Sequence, residues 1–147
     1  QTGADRGALD AALEMGIPHG GWCPLGRLAE DGRIPDRYQL TEAFSANYAV
    51  RTNRNVVDAA GTVVFTLSGP PPKNSGSELT VKFCRQHRNP CLLIDLSQDL
   101  DSNRKRFLDW LDLHHIDILN VAGSRTSESP GIHDQVRNFL IDVLSTA

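Results

Sequence analysis

Three short runs govern what this chain can fold into. Residues 61–67 (Gly-Thr-Val-Val-Phe-Thr-Leu), 91–96 (Cys-Leu-Leu-Ile-Asp-Leu) and 116–122 (Ile-Asp-Ile-Leu-Asn-Val-Ala) are mostly apolar. The first is the clearest: it is β-branched and apolar nearly throughout, as a strand covered on both faces must be. Helical patterns alternate with these runs. Leu79 and Phe83, with Thr80, Cys84 and His87 more loosely, line a helix that must stop before Pro90. Asp101 and Ser102 read as caps for a helix with Phe107, Trp110, Leu111 and His114 on one side. Ile132, Val136, Phe139, Leu140, Val143 and Leu144 repeat at helical spacing and close the chain. Strands alternating with helices predict an α/β fold: a doubly wound parallel sheet, helices on both faces, right-handed crossovers. With no repeat of fixed period and no second unit, residues 1–147 form one domain.

The first third is less regular. Gln1-Thr2-Gly3-Ala4-Asp5-Arg6 turns into a helix on which Leu9, Ala12 and Leu13 share a face, and Gly16 follows the last periodic residue. Arg6 sits where the helix dipole disfavours a cation by about 0.3–1 kcal/mol, so an anion nearby would account for it; a surface arginine beside an ordinary cap is the plainer reading. A Gly turn opening a helix is usually fed by a buried strand, so a strand is expected upstream of Gln1. Residues 17–23 read as a second strand. Residues 23–38 hold Pro24, Gly26, Gly32 and Pro35 around Arg27, Glu30, Asp31, Arg33 and Asp36, too broken for a regular element and too long for a plain connector. Those charges either pair with one another or serve a ligand. Ser45 then caps a helix with Tyr48, Ala49, Thr52 and Val56 on one face, Arg51 and Arg54 lying on others.

A net charge of −3 without a sustained Lys/Arg run argues against nucleic acid or a membrane surface as partner. Cys23, Cys84 and Cys91 have neither metal nor Cys-x-x-Cys spacing and read as reduced thiols of a cytoplasmic protein. His19, His87, His114, His115 and His133 are scattered, so no metal site is expected. No Ser or Cys lies in a nucleophile elbow. Trp22 and Trp110 read as packing residues, although Trp22 beside a Gly-rich turn could reach an aromatic ligand.

In a doubly wound sheet, ligands bind outside the carboxyl ends of the strands. Three segments fall at that edge, residues 1–6, 68–78 and 120–131, and each offers Gly, Ser or Thr at a helix start. Free backbone N–H groups there, with Arg6, Lys73 and Arg125 as counter-charges, are the makings of a phosphate site.

Residues 1–6 before an Ala/Leu helix, then Gly16-Ile17-Pro18-His19-Gly20-Gly21-Trp22-Cys23-Pro24, then Ala29-Glu30-Asp31-Gly32-Arg33-Ile34-Pro35, resemble the molybdenum cofactor carrier proteins. Asn55-Val56, Leu79-Thr80, Leu119-Asn120-Val121-Ala122-Gly123 and Ser129-Pro130-Gly131-Ile132 continue the resemblance across nearly the whole chain. It implies a Rossmann-like three-layer α/β/α fold related to LOG-type, lysine-decarboxylase-like proteins, a strand ending in Ser-Gly-Gly ahead of Gln1, and assembly into a homo-oligomer, dimer or tetramer. It implies molybdenum cofactor (molybdopterin) as bound ligand, its phosphate near Gln1, Thr2, Gly3 and Arg6, near Gly76 and Ser77, and near Gly123, Ser124 and Arg125, with molybdoenzymes as recipients. Two positions depart from the pattern: Ser75-Gly76-Ser77 stands where relatives read Gly-Gly-Thr, and Leu25 where they carry a basic residue. The alternatives are a LOG-like nucleotide N-glycosidase, for which Glu78 is the candidate carboxylate, and a nucleotide-sensing domain without turnover. The plainer reading of Glu78 is a first-turn acid favoured by the dipole.

Overall fold

The structure, a computed structural model, describes residues 1–145, so Thr146 and Ala147 of the expected domain lie outside the described residues. Five helices are formed among the described residues: α1 Ala4–Met15, α2 Tyr48–Asp58, α3 Gly76–His87, α4 Leu100–Leu113 and α5 Ile132–Ser145. The three sequence runs become β5 Gly61–Thr66, β6 Cys91–Asp95 and β7 Leu119–Gly123, joined in one parallel sheet of order β6-β5-β7. The four earlier strands have two residues each: β1 Trp22–Cys23, β2 Leu28–Ala29, β3 Gly32–Arg33 and β4 Thr41–Glu42.

The central strand is buried along its whole length, and its two faces differ in chemistry. Val63 and Phe65 face an apolar layer with Ile94, Phe107, Trp110, Ile132, Val136, Phe139 and Val143, supplied by β6, α4 and α5. Phe65 and Phe107 meet Phe139 edge-on, at ring separations of 5.5 and 5.7 Å. The other face carries Thr62, which donates to Asn89 Oδ1 (3.0 Å); Asn89 in turn donates to the carbonyls of Val56 and Ala59 and ties α2 to the sheet. Helices therefore cover both faces, as the alternation of patterns required.

Local chemistry moved several boundaries. Residues 17–21 do not pair, and only Trp22–Cys23 is extended, parallel to β4. Asn47, not Ser45, caps α2, its side chain accepting from Ala49 N (2.9 Å). Asp99 takes the cap of α4 ahead of Asp101 and Ser102. Helix α3 starts at Gly76, three residues before Leu79, because Ser75 accepts from Glu78 N and opens the helix inside the expected loop.

Residues 23–38 are ordered around a small core of their own. Cys23, Ala29, Ile34 and Tyr38 are buried against Leu9 of α1 and Leu40. The Arg27 guanidinium, buried beneath them, donates to the carbonyls of Ile34 (3.2 Å), Pro35 (2.9 Å), Tyr38 (2.9 Å) and Leu40 (3.4 Å). One cation thus satisfies carbonyls that no strand partner could reach. Strands β2 and β3 then form an antiparallel hairpin with Glu30 and Asp31 as its two-residue turn.

Candidate anion-binding site

The chain runs from β5 out to β6, then crosses back over β5 to β7, so the winding reverses between β5 and β7. That reversal opens a crevice at the carboxyl ends of the two strands. Gly123 at the end of β7, with Ser124 and Arg125 beyond it, meets residues 1–6. Ala4 N donates to Ser124 O (3.0 Å), and Gly3, at φ 73°, lies so close that a Cβ there would stand 2.3 Å from Ser124 O. The two segments are one wall. No side chain caps α1, whose N-terminus opens onto this wall.

Side chains converge on the wall as well. Thr2, nearly buried, donates its hydroxyl to Glu30 Oε1 and accepts from Thr126 N (3.1 Å). Ser127 donates its N–H to Glu30 Oε1 (3.1 Å) and its hydroxyl to Oε2. Arg125 Nε lies 3.7 Å from Glu30 Oε2 and 3.3 Å from Glu128. Gln1 steadies the arrangement by accepting from both Glu30 N (2.8 Å) and Thr2 N (3.0 Å). The hydrogen bonds of Ser127, then that of Thr2, hold the Glu30 carboxyl below the usual range.

Beside it, Arg6 grips Asp31 through both terminal nitrogens (3.0 and 3.2 Å) with its guanidinium 5.4 Å from the Tyr38 ring centre. Asp31 is the anion that offsets the unfavourable placing of Arg6, and the bond from Arg6 is the main cause of its lowered pKa. Arg6 Nε remains buried without a partner. Of the loop's charges, only Arg33 and Asp36 make the plain surface pair, at 2.8 Å and both exposed.

Thus Gln1, Thr2, Gly3, Arg6, Gly123, Ser124 and Arg125 come together, and Glu30, Asp31, Thr126 and Ser127 join them. The residue pattern leaves open whether Glu30 and Asp31 pair with loop neighbours or serve a ligand, since their partners lie 25 or more positions away in sequence. No hydrogen bond or ion pair among the described residues joins Gly76, Ser77 or Lys73 to the wall, although the buried Ser77 Oγ has no partner. Glu78 is engaged with its own turn: Oε1 accepts from Asn74 N (3.0 Å), one residue ahead of the cap, while its N–H donates to the cap hydroxyl, Ser75 Oγ (3.1 Å).

A cavity of about 900 Å³ runs along β7 and is lined by Ala8, Ala12, Trp22, Asn55 and Val121 among others. It reaches residues 1–6 at Gln1 and Asp5. Trp22 donates to Asp58 Oδ2 (2.7 Å) and stacks under Arg54, so its ring is already packed. Among the described residues no group of three or more His, Cys, Asp or Glu is placed to hold a metal, and no helix is long and apolar enough to cross a membrane.

Sheet, helix layers and crevice define a Rossmann-like α/β protein with its polar wall at the point where the winding reverses. The profile of the circularly permutated YpsA SLOG family matches residues 1–144, and the chain belongs to that family. It is similar to a crystal structure from Syntrophus aciditrophicus SB of a protein named "putative molybdenum carrier protein", at 42% identity and a TM-score of 0.93 over 98% of this chain and 90% of that one. The family and the neighbour agree with the resemblance carried by the sequence motifs. A comparison with curated proteins gives no match.

Proposed function

We propose that this protein is a carrier that binds the phosphate of molybdenum cofactor, or of its molybdopterin precursor, on the wall formed by residues 1–6 and 123–127. The observation that carries this reading is the convergence of Thr2, Ser127, Arg125 and Arg6 on carboxylate oxygens, because donors that hold a carboxylate also suit a phosphate. Charge-assisted hydrogen bonds contribute about 1.5–3 kcal/mol each, so three or four give roughly micromolar affinity. The name of the Syntrophus aciditrophicus protein supports the choice of cargo. Chemistry on the cargo is not required of a carrier. The N-glycosidase alternative needs a carboxylate free to act beside a ribose, and Glu78 is held by its own helix cap.

Calorimetric titration with molybdopterin, AMP and ADP-ribose, followed by chromatography for released base, tests the assignment. Saturable molybdopterin binding that is weakened in Arg6→Ala, with no nucleotide cleaved, is the expected result. Cleavage of AMP with release of adenine overturns it in favour of a nucleotide hydrolase.

A further inference from the structure

We propose that the Glu30–Asp31 turn is a built-in competitor for the ligand: its two carboxylates occupy the donors of Thr2, Ser127, Arg125 and Arg6, and a phosphorylated small molecule binds by displacing it. The inference rests on the reading of the wall as a phosphate site.

Both side chains of a two-residue turn engage the same wall, Glu30 on Thr2 and Ser127, Asp31 on Arg6. Glu30 and Asp31 reach donors at the carboxyl end of β7, where a doubly wound sheet receives its ligand, while keeping 22% and 50% of their side chains exposed.

The turn is also lightly held. Strands β2 and β3 contribute two residues each, and Leu28, Gly32 and Arg33 around the turn are exposed. Apart from its carboxylates, the turn is tied to the wall by one bond, Glu30 N to Gln1 Oε1 (2.8 Å). The firm anchorage lies at the base, where Arg27 gathers four carbonyls, and at Tyr38, which donates to Asp10 Oδ1 (2.6 Å). A short hairpin with a fixed base and few tip contacts opens without unfolding its surroundings.

A phosphate gathers in one group what the turn supplies with two side chains: three acceptor oxygens and up to two charges, against four oxygens and two charges spread over Glu30 and Asp31. Asp31 meets Arg6 through the two terminal nitrogens, which a phosphate can engage in the same two-pronged way. The closed turn lowers apparent affinity by the fraction of molecules that are open. Deleting the Glu30 carboxylate, which takes the donors of both Thr2 and Ser127, should raise that fraction about tenfold or more.

The probes are AMP and inorganic phosphate, titrated calorimetrically at low ionic strength into wild type, Glu30→Ala and the Glu30→Ala/Asp31→Ala double variant, with circular dichroism confirming the fold. The Glu30 amide is followed by hydrogen exchange in wild type with and without AMP. Tighter AMP binding by about tenfold or more in Glu30→Ala, and loss of protection at the Glu30 amide when AMP binds wild type, are expected. Weaker or unchanged AMP binding in both variants, or AMP binding with the Glu30 amide still protected, overturns the competitor and leaves the phosphate site standing. Molybdopterin binding without any AMP or phosphate binding overturns it while the carrier reading survives. If none of the three binds any form, both fall.

Discussion

Gly3→Ala puts a methyl group where two backbones already touch. Its Cβ would lie 2.3 Å from Ser124 O, 2.7 Å from Arg125 Cα and 2.8 Å from Arg125 C, none of them a flexible side-chain end. Reaching an ordinary 3.4 Å contact requires the post-β7 segment to withdraw by 3.4 − 2.3 = 1.1 Å, which strains the Ala4 N–H···O=C Ser124 bond (3.0 Å). Overpacking of this kind costs about 1–3 kcal/mol. The backbone adds to it, since φ 73° and ψ −131° belong to a region that side chains rarely enter, at about 1–3 kcal/mol. Alanine's helix propensity gives no relief, because Gly3 is the cap and not a helical residue. A central value of about 4 kcal/mol at about 2–4 °C per kcal/mol lowers Tm by roughly 10 °C. Thermal unfolding by circular dichroism reads this directly, and AMP affinity should fall with it because Ser127 moves with the displaced segment. A Tm within about 2 °C of wild type would refute the close approach of the two segments.

Gly7→Ala is the companion case with an opposing term. Its Cβ would stand 2.4 Å from His133 O on α5, but Gly7 is helical, so about 1 kcal/mol of propensity is regained against about 1–3 kcal/mol of overpacking. Tm should fall by only a few degrees, and a rise would mean that α1 and α5 separate freely. Arg27→Met strips donors from four carbonyls and should cost about 2–4 kcal/mol, with limited proteolysis cutting first within residues 23–40; protease resistance equal to wild type would contradict the staple. Ser75→Ala removes the α3 cap and should cost about 1 kcal/mol, while leaving AMP binding on the α1–β7 wall intact; a parallel loss of binding would place α3 at the site after all. His133 is pulled down by burial, but its hydrogen bonds to Asp134 and Asp10 outweigh this and raise its pKa overall. Its stabilising contribution is therefore full below the unfolded value of about 6.5 and lost as pH rises through the folded one. Denaturant titrations across that window should show the loss in wild type and not in His133→Gln; equal profiles would dismiss the pairing.

The parallel sheet was readable because its strands are covered on both faces. Burial on both sides leaves an unbroken apolar run such as Val63-Val64-Phe65, and the helices between carry their own period. Two-residue strands leave no such trace, which is why β2 to β4 escaped and the strand expected over residues 17–23 shrank to Trp22–Cys23. Helix starts shifted for a local reason: Ser45 and Asn47, or Asp99 and Asp101, are equally good cap residues, and packing chose between them. In residues 23–38 the charges are visible in sequence but not their destinies. Arg27 went inward to carbonyls, Arg33 and Asp36 paired at the surface, and Glu30 and Asp31 crossed to the site.

The sequence alone thus determined the fold class, the family and the segments from which the wall is built, because periodicity and short motifs are local properties that survive without coordinates. Only the tertiary structure decided that residues 1–6 and 123–127 form one surface and that two loop acids bond to it. Those are contacts between segments 25 to 124 positions apart, and their partners are fixed by the winding of the sheet and the seating of one hairpin, which no local pattern encodes.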